Sequence, residues 1–175
     1  PSLILTPLSE IKKKYSVLYV DPPWHYPFAG KESVKPPYPT KKLEELKKED
    51  VPNISLPNSI LFMCCTSPKL NEGIALIESW GFTYKTAIGW AKARPSEIGK
   101  WVKSAPEFLL IAIRGNPGCA NIDKRAIGFV FDEPDSPHSK KPELFYEIIE
   151  ELTENMDRRI ELYARNTRNG WDAWG

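Results

Sequence analysis

The sequence predicts a single α/β domain, residues 1–175, in which a mostly parallel sheet is flanked by helices. Apolar runs rich in β-branched and aromatic residues alternate with segments whose apolar residues recur at helical spacing, which is typical of this class. A chain of 175 residues suits one domain with a sizeable core. The apolar (41%) and charged (27%) fractions are those of a globular protein, and 17 prolines against 10 glycines indicate stiff, shaped loops.

Composition also argues against several classes of protein. The longest apolar runs are too short to span a bilayer and Pro1–Leu5 lacks the pattern of a signal peptide, so we expect a cytoplasmic protein, or a nuclear one in a eukaryote. The adjacent Cys64 and Cys65 show no zinc-ligand spacing, and we expect them to be buried, inert thiols. The net charge of +1 does not indicate a nucleic-acid binder unless basic residues are clustered locally.

The chain begins with a lead-in and a strand. Residues 3–14 include Leu8 and Ile11, which with Tyr15 are spaced for one apolar helical face. The apolar run Tyr15–Val20 then predicts a strand buried on both faces, as in parallel sheets.

This strand ends abruptly at Asp21-Pro22-Pro23-Trp24. Each proline fixes its own φ and keeps the preceding residue out of the helical region, so the turn is stiff and extended. Ligands of open α/β sheets bind beyond the carboxyl ends of the strands, and here a carboxylate, free carbonyls and an indole would face outward together. Taken alone, such a turn is more simply explained as a strand-to-loop connection with Trp24 as packing.

The segment His25–Thr40 leaves this turn with neither helical nor strand periodicity, and long loops of this kind are often functional. Its aromatic and basic residues interleave, as expected where bases stack and phosphates are neutralised. They are Tyr26, Phe28, Lys31, Lys35 and Tyr38. A lid that packs on its own aromatic rings fits the composition equally well.

The middle of the chain alternates strands and helices. Thr40 is the predicted N-cap of a helix over residues 41–49, and Pro52 and Pro57 bound a loop after it. The further predicted elements are a strand at 59–65, a helix from 67 to about 80 that ends at Gly81, and a strand at 82–90.

The third strand leads through Lys92 into a loop, residues 93–103, with a second mixture of basic and aromatic side chains. That loop contains Arg94, Lys100, Trp101 and Lys103. A strand at 107–114 and a turn at 115–118 follow, and then a stretch with one short strand at 128–131. The carboxylates at 132–135 are more simply solvated loop than metal ligands.

The end of the chain predicts a second site. Lysines precede the amphipathic helix 143–152, whose Leu144, Ile148, Ile149 and Leu152 should face inward, and a helix amino terminus of this kind suits a carboxylate or phosphate. A last strand, 159–164, is followed by a polar segment, 165–171, at its carboxyl end.

Eight separated motifs occur together in the order of one family. They are Asp21-Pro22-Pro23-Trp24, Tyr38-Pro39-Thr40, Trp80-Gly81-Phe82, Trp90-Ala91-Lys92, Glu107 before an apolar strand, Arg114-Gly115-Asn116-Pro117, His138-Ser139 with Lys141-Pro142-Glu143, and Glu161–Arg165. With these motifs the chain resembles, over nearly its whole length, the adenine N6-methyltransferases typified by the catalytic subunit of the eukaryotic messenger-RNA adenosine methyltransferase. Bacterial and phage relatives of that family act on DNA.

The resemblance implies a Rossmann-like methyltransferase fold with permuted motif order, and S-adenosylmethionine as methyl donor. By matching position, Lys141 meets the methionine carboxylate of the cofactor, Arg165 and Asn166 hold its ribose region, and Asn169 is a further candidate. Residues that contact the cofactor adenine would fall near Ile4, where the polar contact expected by analogy is absent.

The chemistry gives the turn a specific role. An adenine amine is a poor nucleophile because its lone pair is delocalised into the ring, so a site must hold and aim it. Asp21 and the Pro22 carbonyl can accept its two N–H groups, while Pro23 keeps the turn rigid. Trp24, Tyr26 and Tyr38 offer rings on which an unstacked base can lie, and aromatic faces also favour a sulfonium.

Two other functions stay open: a non-catalytic, nucleic-acid-binding subunit of a methyltransferase complex, and a small-molecule methyltransferase on the same fold. The short chain mildly favours DNA over RNA. Lysines of the two basic–aromatic loops would grip the nucleic acid, and a homodimer or a partner subunit would complete the groove. These lysines are Lys31, Lys35, Lys92, Lys100 and Lys103.

Overall fold

The computed structural model describes residues 2–27, 38–91, 101–102, 106–118, 129–131 and 143–175, with backbone alone at 129–131. The predicted loop lysines, the carboxylates at 132–135 and Cys119 lie outside these residues. Within the described ranges, no helix is long and apolar enough to cross a membrane.

Eight strands of the described chain form one sheet, in the order β1-β8-β7-β2-β3-β5-β4-β6. All neighbouring pairs are parallel except the two that involve β5, so the prediction of a mostly parallel sheet is confirmed. The strands are β1 (Leu3–Ile4), β2 (Tyr15–Val20), β3 (Ser55–Thr66), β4 (Thr83–Ala91), β5 (Pro106–Arg114), β6 (Phe129–Phe131), β7 (Arg159–Leu162) and β8 (Asp172–Trp174).

Helices cover both faces of the sheet. They are α1 (Leu43–Leu46), α2 (Val51–Ile54), α3 (Leu70–Ser79) and α4 (Glu143–Leu152), with 3-10 turns at Leu8–Glu10 and Ser67–Lys69. One buried cluster joins α1, α2 and α3 to one face of the sheet, and a second joins α4 to the other. The central strands β2 and β3 contribute to both clusters, which is why residues 15–20 and 60–65 are almost continuously apolar.

The region between residues 41 and 54 differs from the prediction. The single helix starting at Thr40 is wrong: α1 starts after Lys42, whose N–H donates to the Glu45 carboxylate at 2.7 Å. The predicted loop after it contains α2, where the Asp50 carboxylate accepts the Asn53 N–H at 3.3 Å. Helices of four residues are too short for hydrophobic periodicity to reveal them.

Helix α4 has the predicted bounds, but the prediction that Leu144 faces inward is wrong. Leu144 is 43% exposed, while Phe145 is buried beside Ile148 and Ile149. The aromatic ring fills the space under the helix, with its centroid 5.8 Å from that of Trp90.

The sequence reading missed β1 and β8, which have two and three residues. Tertiary contacts hold them: the Tyr15 hydroxyl and the Lys13 ammonium each donate to Asp172 at 2.7 Å, and the Trp174 indole donates to the Thr6 carbonyl at 2.9 Å. The last predicted strand stops two residues early, at Leu162, because Tyr163 adopts a left-handed backbone conformation (φ 57°).

Cys64 and Cys65 are buried thiols, as predicted. Burial, aided by the charges of Glu107 and Glu72, raises the pKa of Cys65 to about 12, so almost no thiolate forms near neutral pH. We expect iodoacetamide at about pH 8 to leave both thiols unmodified in the native protein and to alkylate them in urea, measured by peptide mass spectrometry. Rapid native alkylation at either position would contradict the buried placement.

Candidate active site

The candidate site lies at the edge of the sheet where the parallel strands end. Val20 pairs with Met63 of β3 on one side and with Leu162 of β7 on the other. Asp21 therefore follows β2 beside the end of β7, while β3 continues to Thr66, at the edge where α/β proteins usually bind ligands.

The backbone of the turn after β2 is held by three hydrogen bonds. The Trp24 N–H donates to the Pro22 carbonyl at 2.8 Å. Lys41 pairs with the chain on both sides of Trp24: its N–H donates to the Pro23 carbonyl at 2.8 Å, and its carbonyl accepts the His25 N–H at 3.2 Å. A carbonyl oxygen has two lone pairs, so Pro22 retains acceptor capacity for a second donor. The stiffness expected of this turn thus has a tertiary cause as well as a local one.

Asp21 is partly exposed and lies close to Glu161 of β7. Burial raises the pKa of Glu161, the negative charge of Asp21 raises it further, and the Tyr146 hydroxyl opposes this by donating a 2.9 Å hydrogen bond. Burial likewise raises the pKa of Tyr19, with a contribution from Asp21. Two carboxylates thus lie close together at this edge, and the positive charge of Arg168 acts on Glu161 in the opposite sense to Asp21.

The sequence alone predicts no role for Glu161, although this residue begins the last of the eight motifs. The signal in the sequence is a carboxylate between two apolar residues of a predicted strand, Ile160 and Leu162. In the structure both neighbours are buried and Glu161 is half-buried. An acidic residue inside such a strand requires a partner, because burying an unpaired charge is costly.

The segment after β7 brings two predicted site residues together. The guanidinium carbon of Arg165 lies 4.3 Å from the centroid of the Tyr38 ring, although the two residues are far apart in sequence. Asn166 and Asn169 are exposed in the same segment. Ile4 lies in β1 at the sheet margin, where its carbonyl accepts the Gly175 N–H at 3.3 Å.

Trp24 does not face outward, and that prediction is wrong. Its side chain is 6% exposed, packs in the core and donates its indole N–H to the Cys64 carbonyl at 3.4 Å. The turn directs the indole beneath the sheet edge, where it gains apolar contacts. The alternative interpretation, Trp24 as packing, describes the structure.

Tyr26 lies nearer the site surface. Its hydroxyl is 2.6 Å from the Thr66 hydroxyl, at the tip of β3, and the Lys69 ammonium is 5.2 Å from its ring centroid. Of the three aromatic residues predicted to stack a base, Tyr26 and Tyr38 are therefore the two that are not buried.

The remaining predicted contacts lie outside the described ranges. They are Lys31, Lys35, Lys92, Lys100, Lys103 and Lys141. The part of the chain that the structure describes contains no group of three or more His, Cys, Asp or Glu residues able to hold a metal ion.

Comparison with known proteins agrees with this architecture. A model of the MT-A70 family matches residues 15–175. The chain is 35% identical to the type II methyltransferase M.MunI from Mycoplasma sp, over 98% of this chain and 83% of M.MunI. It is 26% identical to the human N(6)-adenosine-methyltransferase catalytic subunit METTL3, over 93% of this chain and 28% of METTL3.

A plant protein, the putative N(6)-adenosine-methyltransferase MT-A70-like of Medicago truncatula, is 28% identical over 95% of this chain and 27% of its own length. The chain thus spans most of M.MunI but only about a quarter of the plant and human relatives. The family match covers nearly all described elements, and these relatives are named methyltransferases. The predicted resemblance is therefore confirmed, and the chain belongs to the MT-A70 family of adenine N6-methyltransferases.

Proposed function

We propose that this enzyme transfers the methyl group of S-adenosylmethionine to the N6 amine of adenine in DNA. The observation that carries the proposal is the hydrogen-bonded Asp21–Trp24 turn at the sheet edge, beside the end of β7, which is followed three residues later by Arg165. DNA is favoured over RNA because identity is higher to the type II methyltransferase M.MunI (35%) than to METTL3 (26%).

The residues at this edge fit the proposed cofactor. S-adenosylmethionine supplies an electrophilic methyl group on a positively charged sulfur. The carboxylates of Asp21 and Glu161, which lie close together, would attract such a cation. Arg165, assisted by Asn166 and Asn169, would hold the ribose region, and Lys141 the methionine carboxylate.

The turn would orient the adenine amine. The Asp21 carboxylate accepts one N–H and the second lone pair of the Pro22 carbonyl accepts the other, which directs the nitrogen lone pair towards the methyl group. Holding reacting atoms in this geometry is a major source of rate enhancement. Asp21 can take up the proton released after transfer, directly or through water.

In this proposal, two tyrosines stack on the substrate base. Tyr26 and Tyr38 would hold an unstacked base, a role from which the burial of Trp24 removes that residue. The loop lysines would bind the phosphates, and a second copy of the chain or a partner subunit would complete the groove. The proposed setting is the cytoplasm, or the nucleus in a eukaryote.

The test compares substrates directly. The protein is incubated with isotope-labelled S-adenosylmethionine and single-stranded DNA, duplex DNA, RNA or free adenine, and nucleosides are quantified by mass spectrometry. Labelled N6-methyladenine in DNA is expected. Methylation of RNA alone would overturn the DNA preference, methylation of free adenine alone would favour a small-molecule enzyme, and cofactor binding without any transfer would favour a non-catalytic subunit.

A further inference from the structure

Lys41 fastens the chain that leaves the Asp21–Trp24 turn. Its N–H donates to the Pro23 carbonyl at 2.8 Å and its carbonyl accepts the His25 N–H at 3.2 Å, which makes a parallel bridge between Lys41 and Trp24. This bridge lies outside the named strands, so the sheet ladder does not account for its stability. The placement of Lys41 therefore affects the placement of the turn.

The Lys41 side chain is itself anchored. Its ammonium lies 2.5 Å from Oε1 of Glu49, just before α2, and their side chains are 36% and 21% exposed. The ammonium is also 5.6 Å from the centroid of the Tyr163 ring. A partly shielded ion pair with two partners for the ammonium is screened less than an isolated surface pair.

Tyr163 connects this ion pair to the tip of β7. Its hydroxyl donates to the same Glu49 oxygen at 3.5 Å, and its ring packs edge-on against Trp174 with centroids 5.2 Å apart. Burial and the Glu49 charge raise the pKa of Tyr163, so the hydroxyl stays protonated and able to donate.

The backbone of Tyr163 is strained as well as anchored. A φ of 57° is unfavourable for a bulky residue and persists only where the surroundings hold it. Because Tyr163 ends β7 two residues before Arg165, its conformation sets the direction in which the following segment leaves the sheet. Contacts to Tyr163 thus affect the position of the segment that contains Arg165, on the side of the site opposite the turn.

We propose that Lys41, Glu49 and Tyr163 form a positioning cluster that holds the Asp21–Trp24 turn in register with the β7 tip. The inference rests on the proposed function. Beyond the sheet edge, where strand pairing ends, the Lys41–Glu49–Tyr163 cluster links the segment that aims the adenine amine to the segment that would hold the methyl donor. Lys41 and Glu49 are positioning residues: they act on the turn and touch no reacting atom.

Replacing Lys41 with methionine or Glu49 with glutamine removes the ion pair. We expect kcat for methyl transfer to fall about tenfold, since small misplacements of reacting groups are costly, while the KM for S-adenosylmethionine changes less than about threefold. Lys41→Arg keeps the charge and should retain most of kcat. Rates are normalised to the folded fraction at the assay temperature.

The matched control is Lys47→Met. Lys47 pairs with Glu44, three residues earlier in the chain, at 3.2 Å, but that glutamate is 79% exposed. Such pairs contribute little, so this variant should behave as wild type. Equal kcat values for Lys41→Met, Glu49→Gln and Lys47→Met would overturn the inference, as would an equal loss in Lys41→Arg and Lys41→Met.

A second measurement separates this inference from the proposed function. Amide hydrogen exchange at His25 and Lys41 reports the bridge whether or not the protein methylates DNA. We expect faster exchange there in Glu49→Gln than in Lys47→Met, with unchanged exchange in β3. If the wild-type protein shows no methyl transfer but exchange is faster in Glu49→Gln, the proposed function is refuted and the positioning cluster stands. If the wild-type protein is active but exchange in Glu49→Gln is unchanged, the positioning cluster is refuted.

Discussion

Asp21→Ala is expected to lower methyl transfer to adenine at least about 10²-fold, with a small effect on folding. Under the proposed function the Asp21 carboxylate accepts one N–H of the adenine amine, and alanine would leave that N–H without its acceptor. The rate is measured in a single turnover, as N6-methyladenine by nucleoside mass spectrometry. Asp21→Asn keeps the shape and one acceptor oxygen, and should retain more activity than Asp21→Ala.

The control for Asp21→Ala is Asp157→Ala, which removes an exposed carboxylate beyond α4. It should leave the rate unchanged. Loss of Asp21 should also lower the pKa of Glu161, because the Asp21 charge contributes to raising it. Equal rates for Asp21→Ala and Asp157→Ala in a folded, cofactor-binding protein would refute the role of Asp21.

Trp24→Ala is expected to reduce the free energy of unfolding by about 3–5 kcal/mol, a large part of the stability of a typical domain. The indole is 6% exposed, and its removal leaves a cavity and abolishes the hydrogen bond to the Cys64 carbonyl. Equilibrium unfolding in urea measures the change. In Trp24→Phe the phenyl ring fills most of the space, so we expect a smaller loss in the free energy of unfolding and no weakening of DNA binding.

Trp101→Ala is the matched control for this substitution. Trp101 is 91% exposed, and its removal should change the free energy of unfolding by no more than about 0.5 kcal/mol. If Trp24→Ala were as mild as Trp101→Ala but weakened DNA binding strongly, Trp24 would be a stacking surface rather than core.

The elements that sequence reasoning located well have strong, local signals. Strand β2 and helix α4 were predicted with their observed bounds, because the first is apolar throughout and the second has apolar residues at helical spacing. The short elements β1, β8, α1 and α2 were missed or misplaced. Segments of two to four residues carry too little pattern and form only when a neighbouring surface stabilises them.

The residues of the site also fall into those that local sequence predicts and those that depend on tertiary contacts. The position of Asp21 at a strand end followed from residues adjacent in sequence, since an apolar strand stopped by two prolines can present its next side chain only at the sheet edge. The resemblance of the motifs was enough to indicate the family. Neither observation depends on how distant segments pack.

The direction of the Trp24 indole, the stacking of Arg165 on Tyr38 and the link from Lys41 through Glu49 to Tyr163 all depend on such packing. Each joins residues on different elements, up to 127 positions apart for Tyr38 and Arg165 (165 minus 38). A linear pattern can name an aromatic or charged residue, but its partner is chosen by strand order and by the free energy of burying the side chain. The sequence therefore determines which chemical groups the Asp21–Trp24 turn contains and that they follow a strand end. The orientation of the turn towards the β7 tip is determined by the tertiary fold.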